Sequence, residues 1–189
     1  MSGFELTGPL ETERLVLRAF EDGDYDVVLA MQSRAVVVRY LHWGVRSEGE
    51  VREALQTKVA STAIRCEGDP LFLAAVLKET NQLVGDVMMQ LTSEEHRQAE
   101  IGFIVHPDHQ GRGYATEATR VLLHLAFDEL KLHRVVGRVE VRNTASARVL
   151  EKLGMRREAH LVENEYVKGE WQSELVYAIL DREWRGTEP

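Results

Sequence analysis

The stretch Gln110-Gly111-Arg112-Gly113-Tyr114-Ala115 constrains this chain more than any other segment. It lies between a β-like run ending at Val105 and a helix-like run reaching Leu130. A glycine-containing turn from strand into helix leaves several backbone N–H groups unpaired and converging. The helix macrodipole adds partial positive charge there, so the turn is suited to an anion, most often phosphate. Spacing narrows which phosphate. The Gly-Lys-Ser/Thr ending of a Walker loop is missing. The Gly-x-Gly-x-x-Gly dinucleotide fingerprint fails at its third glycine, which is Thr116, and the loop falls past the middle of the chain.

The charge distribution agrees with an anion site. The 189 residues carry a net charge of −8, which argues against nonspecific nucleic-acid binding. Residues 1–100 are net −7 and residues 161–189 net −4, whereas residues 101–160, which hold the loop, are net +3. An anionic cofactor at the loop and a cationic substrate approaching the acidic remainder fit this pattern. With 44% apolar residues, the length suits a single domain, 1–189, with its own core. No apolar run approaches the roughly 18 residues of a membrane span, and Met1 to Leu6 shows no secretory signal. Cys66 is the only cysteine, which excludes disulfide frameworks and cysteine-zinc clusters within one chain. A cytoplasmic location is therefore expected.

Periodicity places the remaining elements. Arg14 to Ala19 alternates as a strand, and Asp22 or Asp24 is placed to cap a helix through about Ser33. Ser47 with Glu50 forms a capping-box signature, opening a helix toward Arg65 that Gly68-Asp69-Pro70 stops. Leu71 to Leu77 and Leu83 to Leu91 read as strands, followed by Gln98 to Val105. The helix from Tyr114 to Leu130 buries Ala118, Leu122 and Leu125, with Val121 beside them. Arg134 to Val141 returns as a strand. Asn143 or Thr144 then opens a helix that Gly154 ends, and strands at Arg156 to Val167 and Gln172 to Leu180 close the chain. The order β-α-α-β-β-β-α-β-α-β-β is mixed α/β, with a parallel crossover inside 98–141 and hairpins elsewhere.

Gln110-x-x-Gly-x-Ala resembles the pyrophosphate loop of the GNAT superfamily of acetyl-CoA-dependent N-acetyltransferases. About thirty residues on, Asn143-Thr144-Ala145-Ser146 leading to Leu150-Glu151-Lys152-Leu153-Gly154-Met155 resembles a second segment of that superfamily, with Met155 where an aromatic is usual. Thr12 to Arg18 and Glu165 to Trp171 are similar to the branch of ribosomal-protein N-terminal (alanine or serine) acetyltransferases. The resemblance implies a GNAT fold, a mixed, mostly antiparallel twisted sheet with a splayed parallel strand pair, flanked by helices. It implies acetyl-CoA as cosubstrate and no metal, with direct transfer to an amine in a ternary complex. It implies that backbone groups of Phe103, Ile104 and Val105 bond the pantetheine arm. Amides of Gly111, Arg112, Gly113, Tyr114, Ala115 and Thr116, with Gln110, would cradle the pyrophosphate. Asn143 would orient the arm or a water, and Ser146 would protonate the leaving sulfur. A thiol with a reference pKa of about 8.5 leaves as a modest base, so a weak donor suffices.

The base remains open among Glu100, Glu165 and water alone. Glu100 precedes Ile101-Gly102 on the cleft strand, and Glu165 lies in a Glu-Tyr-x-x-Gly segment. His106 and His109 are weaker, since Pro107 prevents the helical pairing of zinc motifs, and a loop role is expected. An α-amine titrates near about 8 and a lysine amine near about 10.4, a difference worth roughly 3.4 kcal/mol of deprotonation. A glutamate acting through water suits the first better. This favours a protein N-terminus or a low-pKa small-molecule amine and leaves lysine open as an acceptor; the resemblance implies that Tyr40, His42 and Trp43, between the first two helices, wall the acceptor site. Trp171 and Tyr177 are expected as packing residues or homodimer contacts. Cys66, placed near a helix end without a basic partner, is not expected to be nucleophilic. A second class stays open: a regulatory or sensor module that binds acyl-CoA without turnover.

Overall fold

The structure, a computed structural model, describes residues 3–185. In chain order it contains β1 (Phe4–Glu5), β2 (Leu10–Glu11), β3 (Leu15–Arg18), a 3-10 turn (Asp22–Asp24), α1 (Tyr25–Gln32), α2 (Ala35–Val38) and α3 (Glu48–Ala60). Next come β4 (Ala63–Ile64), β5 (Pro70–Leu77), β6 (Leu83–Ser93), β7 (Gln98–Val105) and a 3-10 turn at Pro107–His109. The remainder is α4 (Tyr114–His124), β8 (Arg134–Glu140), α5 (Thr144–Lys152), β9 (Arg156–Val167), β10 (Glu170–Leu180) and α6 (Asp181–Trp184). None of the described helices is long and apolar enough to cross a membrane.

Eight strands form one sheet in the order β2-β3-β5-β6-β7-β8-β10-β9. Every neighbouring pair is antiparallel except β7 and β8. That parallel pair runs from Gln98 opposite Arg134 to Ile101 opposite Gly137 and then stops. Beyond it β8 stays with β10, where the Val141 N–H donates to the Ser173 carbonyl at 2.9 Å. β7 stays with β6 as far as Val105. The sheet therefore opens between its two middle strands.

Each face of the sheet carries its own core. Leu122, Leu123 and Phe127 behind α4 pack with Leu150 and Leu153 of α5, Trp184 of α6 and strand residues such as Leu73, Met89 and Ile101. On the other face, Val28 and Met31 of α1 meet Val51 and Leu55 of α3 over Ala74 and Val76. Met155, standing where the family favours an aromatic, is buried in the first core.

Several boundaries differ from the sequence expectation, each for a physical reason. The capping box at Ser47 and Glu50 forms, but α3 ends at Ala60 instead of continuing toward Arg65. The residues after it pair across the chain instead, with Ala63 opposite Glu5 and Ile64 opposite Phe4. Asp24 does not cap α1. Its carboxylate is gripped by Arg18 at 2.7 and 2.8 Å and accepts the Glu21 N–H at 3.0 Å, closing the 3-10 turn that leads into the helix. The run to Leu130 is α-helical only to His124; Leu125–Glu129 forms a π turn, with the Leu130 N–H on the Leu125 carbonyl at 2.9 Å. Wider turns let Leu125, Ala126 and Phe127 all face the core. Cys66 lies in the loop after β4, where Asp69 pushes its thiol pKa up, away from nucleophilic character.

One buried ion pair joins the helical layer to the sheet. Lys58 Nζ of α3 donates to Asp86 Oδ2 of β6 at 2.6 Å, and both side chains are less than one-tenth exposed. The ammonium also lies over the rings of Phe20 and Phe72, at 4.8 and 4.7 Å. Removing one partner strands a charge in an apolar layer, which is costlier than removing both. We expect Lys58→Met to lower the unfolding free energy by about 3–5 kcal/mol in urea denaturation, and Asp86→Leu added to it to restore most of the loss.

Candidate active site

The opening between β7 and β8 defines the first half of the site. The His106 N–H bonds the Val84 carbonyl of β6 at 2.8 Å, so by strand alternation the Ile104 N–H also faces β6. The N–H groups of Phe103 and Val105 then face the open edge, where β8 no longer pairs. The Val105 carbonyl on that edge accepts from Gln110 Nε2 at 3.1 Å. Gly85 allows the close approach that shapes this end of β7: a Cβ there would lie 2.3 Å from the Ile104 carbonyl oxygen.

The glycine loop follows directly. Gly111 and Gly113 have φ of +76° and +85°, left-handed values that glycine adopts without the cost a Cβ imposes. Gly113 is the N-cap of α4, and among the described residues no side chain caps this helix start. Its first amides are therefore available to a ligand. The loop is braced from the chain start. Arg14 Nη1 donates to the Arg112 carbonyl at 3.0 Å and Arg14 Nε to Glu117 Oε2 at 2.7 Å, while Thr12 Oγ1 donates to Glu117 Oε1 at 2.6 Å. This is the physical content of the Thr12-Glu13-Arg14 segment. His106 Nδ1 accepts the Asp108 N–H at 3.3 Å, and burial lowers the pKa of His109 in the same 3-10 turn.

Facing the opening, Asn143 caps α5 by accepting the Ser146 N–H on Oδ1 at 3.2 Å. Ser146 Oγ makes no hydrogen bond with the described residues. Asn143, Ser146 and Leu150 line a cavity of about 410 Å³ that also reaches Tyr40, His42 and Trp43. The cavity thus connects α5 with the segment joining α2 and α3.

Register explains which charges meet there. Glu100 lies opposite Val136, and Arg138 is two residues further along β8, on the same face. Arg138 lies opposite Val176, and Glu174 is two residues along β10. Arg138 accordingly bridges both carboxylates, at 3.2 Å from Glu100 and 2.8 Å from Glu174. Burial pushes the Glu100 pKa above the ordinary carboxylate range, against the pull of Arg138. Glu165 contacts His42 Nδ1 at 3.1 Å. Ligand-type atoms of His42, Glu165 and Glu174 lie within 4.8 Å of one another. Glu165 faces His42 and Glu174 faces Arg138, and all three side chains of the cluster line the cavity. The wall is held by Lys168 in the β9–β10 turn, whose Nζ donates to the carbonyls of Val38 and Arg39.

Sequence reasoning named Glu100, Glu165, Ser146 and the aromatic wall, and these share the cavity. It missed Arg138, Glu174, Gln32, Arg46, Lys58 and Asp86, which also line it. Alternation along β8 and β10 flags Arg138 and Glu174 as facing one side, but only the pairing register brings them to Glu100.

A parallel pair parting beside a glycine-loop helix, with a cavity running through the gap, defines an acyl-CoA-dependent transferase site. The glycine amides, the open β7 edge and the uncapped α4 start fit coenzyme A, whose bound form supplies an activated acetyl thioester. The chain belongs to the acetyltransferase (GNAT) family: the domain of that description matches residues 14–156. The N-acetyltransferase YnaD of Bacillus subtilis is 31% identical over 175 residues, which are 93% of this chain and 98% of YnaD. A GNAT-family acetyltransferase structure from Bacillus anthracis superposes with TM-score 0.83 at 33% identity, covering 93% of this chain and 99% of that one. Spermidine N-acetyltransferase of Vibrio cholerae, solved with CoA and spermine, gives 0.78 at 25% identity over 92% and 99%. The protein is an enzyme that transfers acetyl from acetyl-CoA to an amine, which resolves the choice against a non-catalytic sensor.

The loop geometry yields a direct test. Gly113→Glu adds a Cβ at positive φ and a carboxylate beside the helix start. We expect calorimetry to show acetyl-CoA binding abolished, with the far-ultraviolet circular dichroism of the folded protein kept.

Proposed function

We propose that the enzyme acetylates an α-amine, of a peptide or an amino-acid-like small molecule, within a ternary complex, with Glu100 as base and Ser146 as acid. The observation that carries this is Glu100 itself, raised by burial and placed on the strand that opens. A base tuned upward accepts a proton better, which narrows the gap to an α-amine titrating near about 8. Glu165 and Glu174 would receive the incoming ammonium before it loses its proton, and Glu100 would take that proton through a water. Tyr40, His42 and Trp43 would shape the acceptor entrance.

On the donor side, the Phe103 and Val105 amides would bond the pantetheine arm and the acetyl oxygen. Gln110 would hold the Val105 carbonyl in place, and amides from Gly111 to Thr116 would hold the pyrophosphate, helped by the charge of Arg112. Asn143 would position the arm while the unpartnered Ser146 hydroxyl donates to the departing sulfur.

Similarity of Thr12 to Arg18 and Glu165 to Trp171 to the ribosomal-protein N-terminal acetyltransferases supports the peptide α-amine. The spermidine enzyme of Vibrio cholerae offers a small-molecule alternative. A cytoplasmic setting goes with acetyl-CoA as donor. For assembly, we place a second copy at edge strand β9. Tyr166 and Trp171 are 64% and 60% exposed there and meet edge-to-face at 5.3 Å, whereas Tyr177 is buried with its hydroxyl on Glu151.

Two measurements test the roles. Ser146→Ala is expected to lower kcat about tenfold or more while acetyl-CoA affinity stays within about twofold; equal turnover leaves Ser146 as a helix-start residue only. Glu100 must be deprotonated to act, so kcat/KM should fall as pH drops through a value above the usual carboxylate range. Glu100→Gln should lose roughly 10²-fold or more in kcat/KM together with that acid limb. An unchanged limb assigns the base elsewhere, with Glu165→Gln the next variant to measure.

A further inference from the structure

The acceptor cavity is polarised, and its second pole is cationic. The carboxylates Glu100, Glu165 and Glu174 stand on β7, β9 and β10, whereas Gln32, Arg46 and Lys58 enter from α1, the segment leading into α3, and α3. Asp86, the partner of Lys58, lies opposite Ile104, four residues along β7 from Glu100. That separation is about 13 Å at the rise of a strand.

Arg46 differs from the other cations lining this cavity. Arg138 is bound by two carboxylates and Lys58 by one. Among the described residues Arg46 has no ion-paired carboxylate; Glu50 acts on it only from longer range. Its guanidinium lies over the Trp43 ring at 4.0 Å, and Nη1 donates to Gln32 Oε1 at 2.8 Å. Nε and Nη2 make no hydrogen bond with the described residues. Because arginine only donates, that bond fixes the orientation of the Gln32 amide, with its oxygen toward Arg46. Gln32 is 1% exposed, and its Nε2 is left buried without an acceptor among the described residues. Leaving a buried donor unpaired costs about 1–3 kcal/mol, and burial lowers the pKa of Arg46, consistent with a charge that lacks a partner. A planar fork and an adjacent amide N–H form a donor set matched to a carboxylate.

We infer that the acceptor is a primary amine carrying an anionic oxygen group, a carboxylate in the simplest case, which Arg46 binds with Gln32 as second donor. This rests on the reading that the amine is received at Glu165 and Glu174. A zwitterion then spans the cavity with each charge against its opposite. An extended polyamine would set its second ammonium against Arg46.

The test uses full-length enzyme with saturating acetyl-CoA and follows thiol release. Alanine dipeptides and tripeptides with a free C-terminal carboxylate are compared with the same peptides as C-terminal amides, and with spermidine. The carboxylate form of at least one length should show kcat/KM roughly ten- to a hundredfold above its amide, the difference residing in KM. Arg46→Glu should reverse the order, favouring amides and spermidine over carboxylates. Equal kcat/KM for carboxylates and amides in the wild type overturns the inference, whatever the variant does. So does an Arg46→Glu enzyme that folds and keeps the carboxylate preference. If amides and spermidine turn over while carboxylates are refused, the acetyl-transfer reading stands and the role of Arg46 as an anion-binding pole falls. If no amine turns over although acetyl-CoA binds, the reading of the amine site falls, and the inference with it.

Discussion

The break in pairing between β7 and β8 is the constraint on which the site depends. Backbone donors and acceptors inside a protein must be satisfied, so a sheet that opens in its middle needs something else to fill the edge. Here the sheet stays intact on both sides of the gap, through β6 for one strand and β10 for the other. The gap is thus a stable feature held from outside. It presents an extended edge to a ligand of similar shape, and it lets a cavity pass from α5 to the helices on the opposite face.

Around that gap, charge is arranged in compensated groups. Arg138 ties Glu100 to Glu174, Arg142 ties Glu140 to Glu170, and Lys58 ties α3 to Asp86. Such networks set the dielectric and geometric background against which one incompletely matched group becomes informative. Glu100 is held by a shared arginine yet pushed upward by burial, and Arg46 has a neutral partner where the others have carboxylates. These two positions give the cavity its direction.

Local signals in the sequence were sufficient wherever structure is decided locally. β7 and β9 have the boundaries that alternation assigns, Asn143 caps α5, and Ser47 with Glu50 starts α3. Legibility failed where distant partners decide. The end of α3 depends on pairing with Phe4–Glu5, and the π turn after His124 depends on a core that demands consecutive buried residues. The site divides in the same way. Its glycine loop and Asn143–Ser146 segment are contiguous and were readable. Arg138 needs the register of three strands, and Gln32 needs Arg46, fourteen positions away, to become a cavity residue. Asp24 shows the reverse error: a residue of capping type was captured by a nearer arginine.

On the proposed reading, the donor half of this site is built mainly from main-chain amides, and the acceptor half from side chains on segments that the Lys168 contacts hold together across 130 positions. Main-chain groups persist through substitution as long as the glycines and the strand path remain. Side chains do not. Mutation can therefore explore new acceptors without disturbing thioester recognition. In this architecture side-chain substitution reaches selectivity more directly than it reaches reaction type.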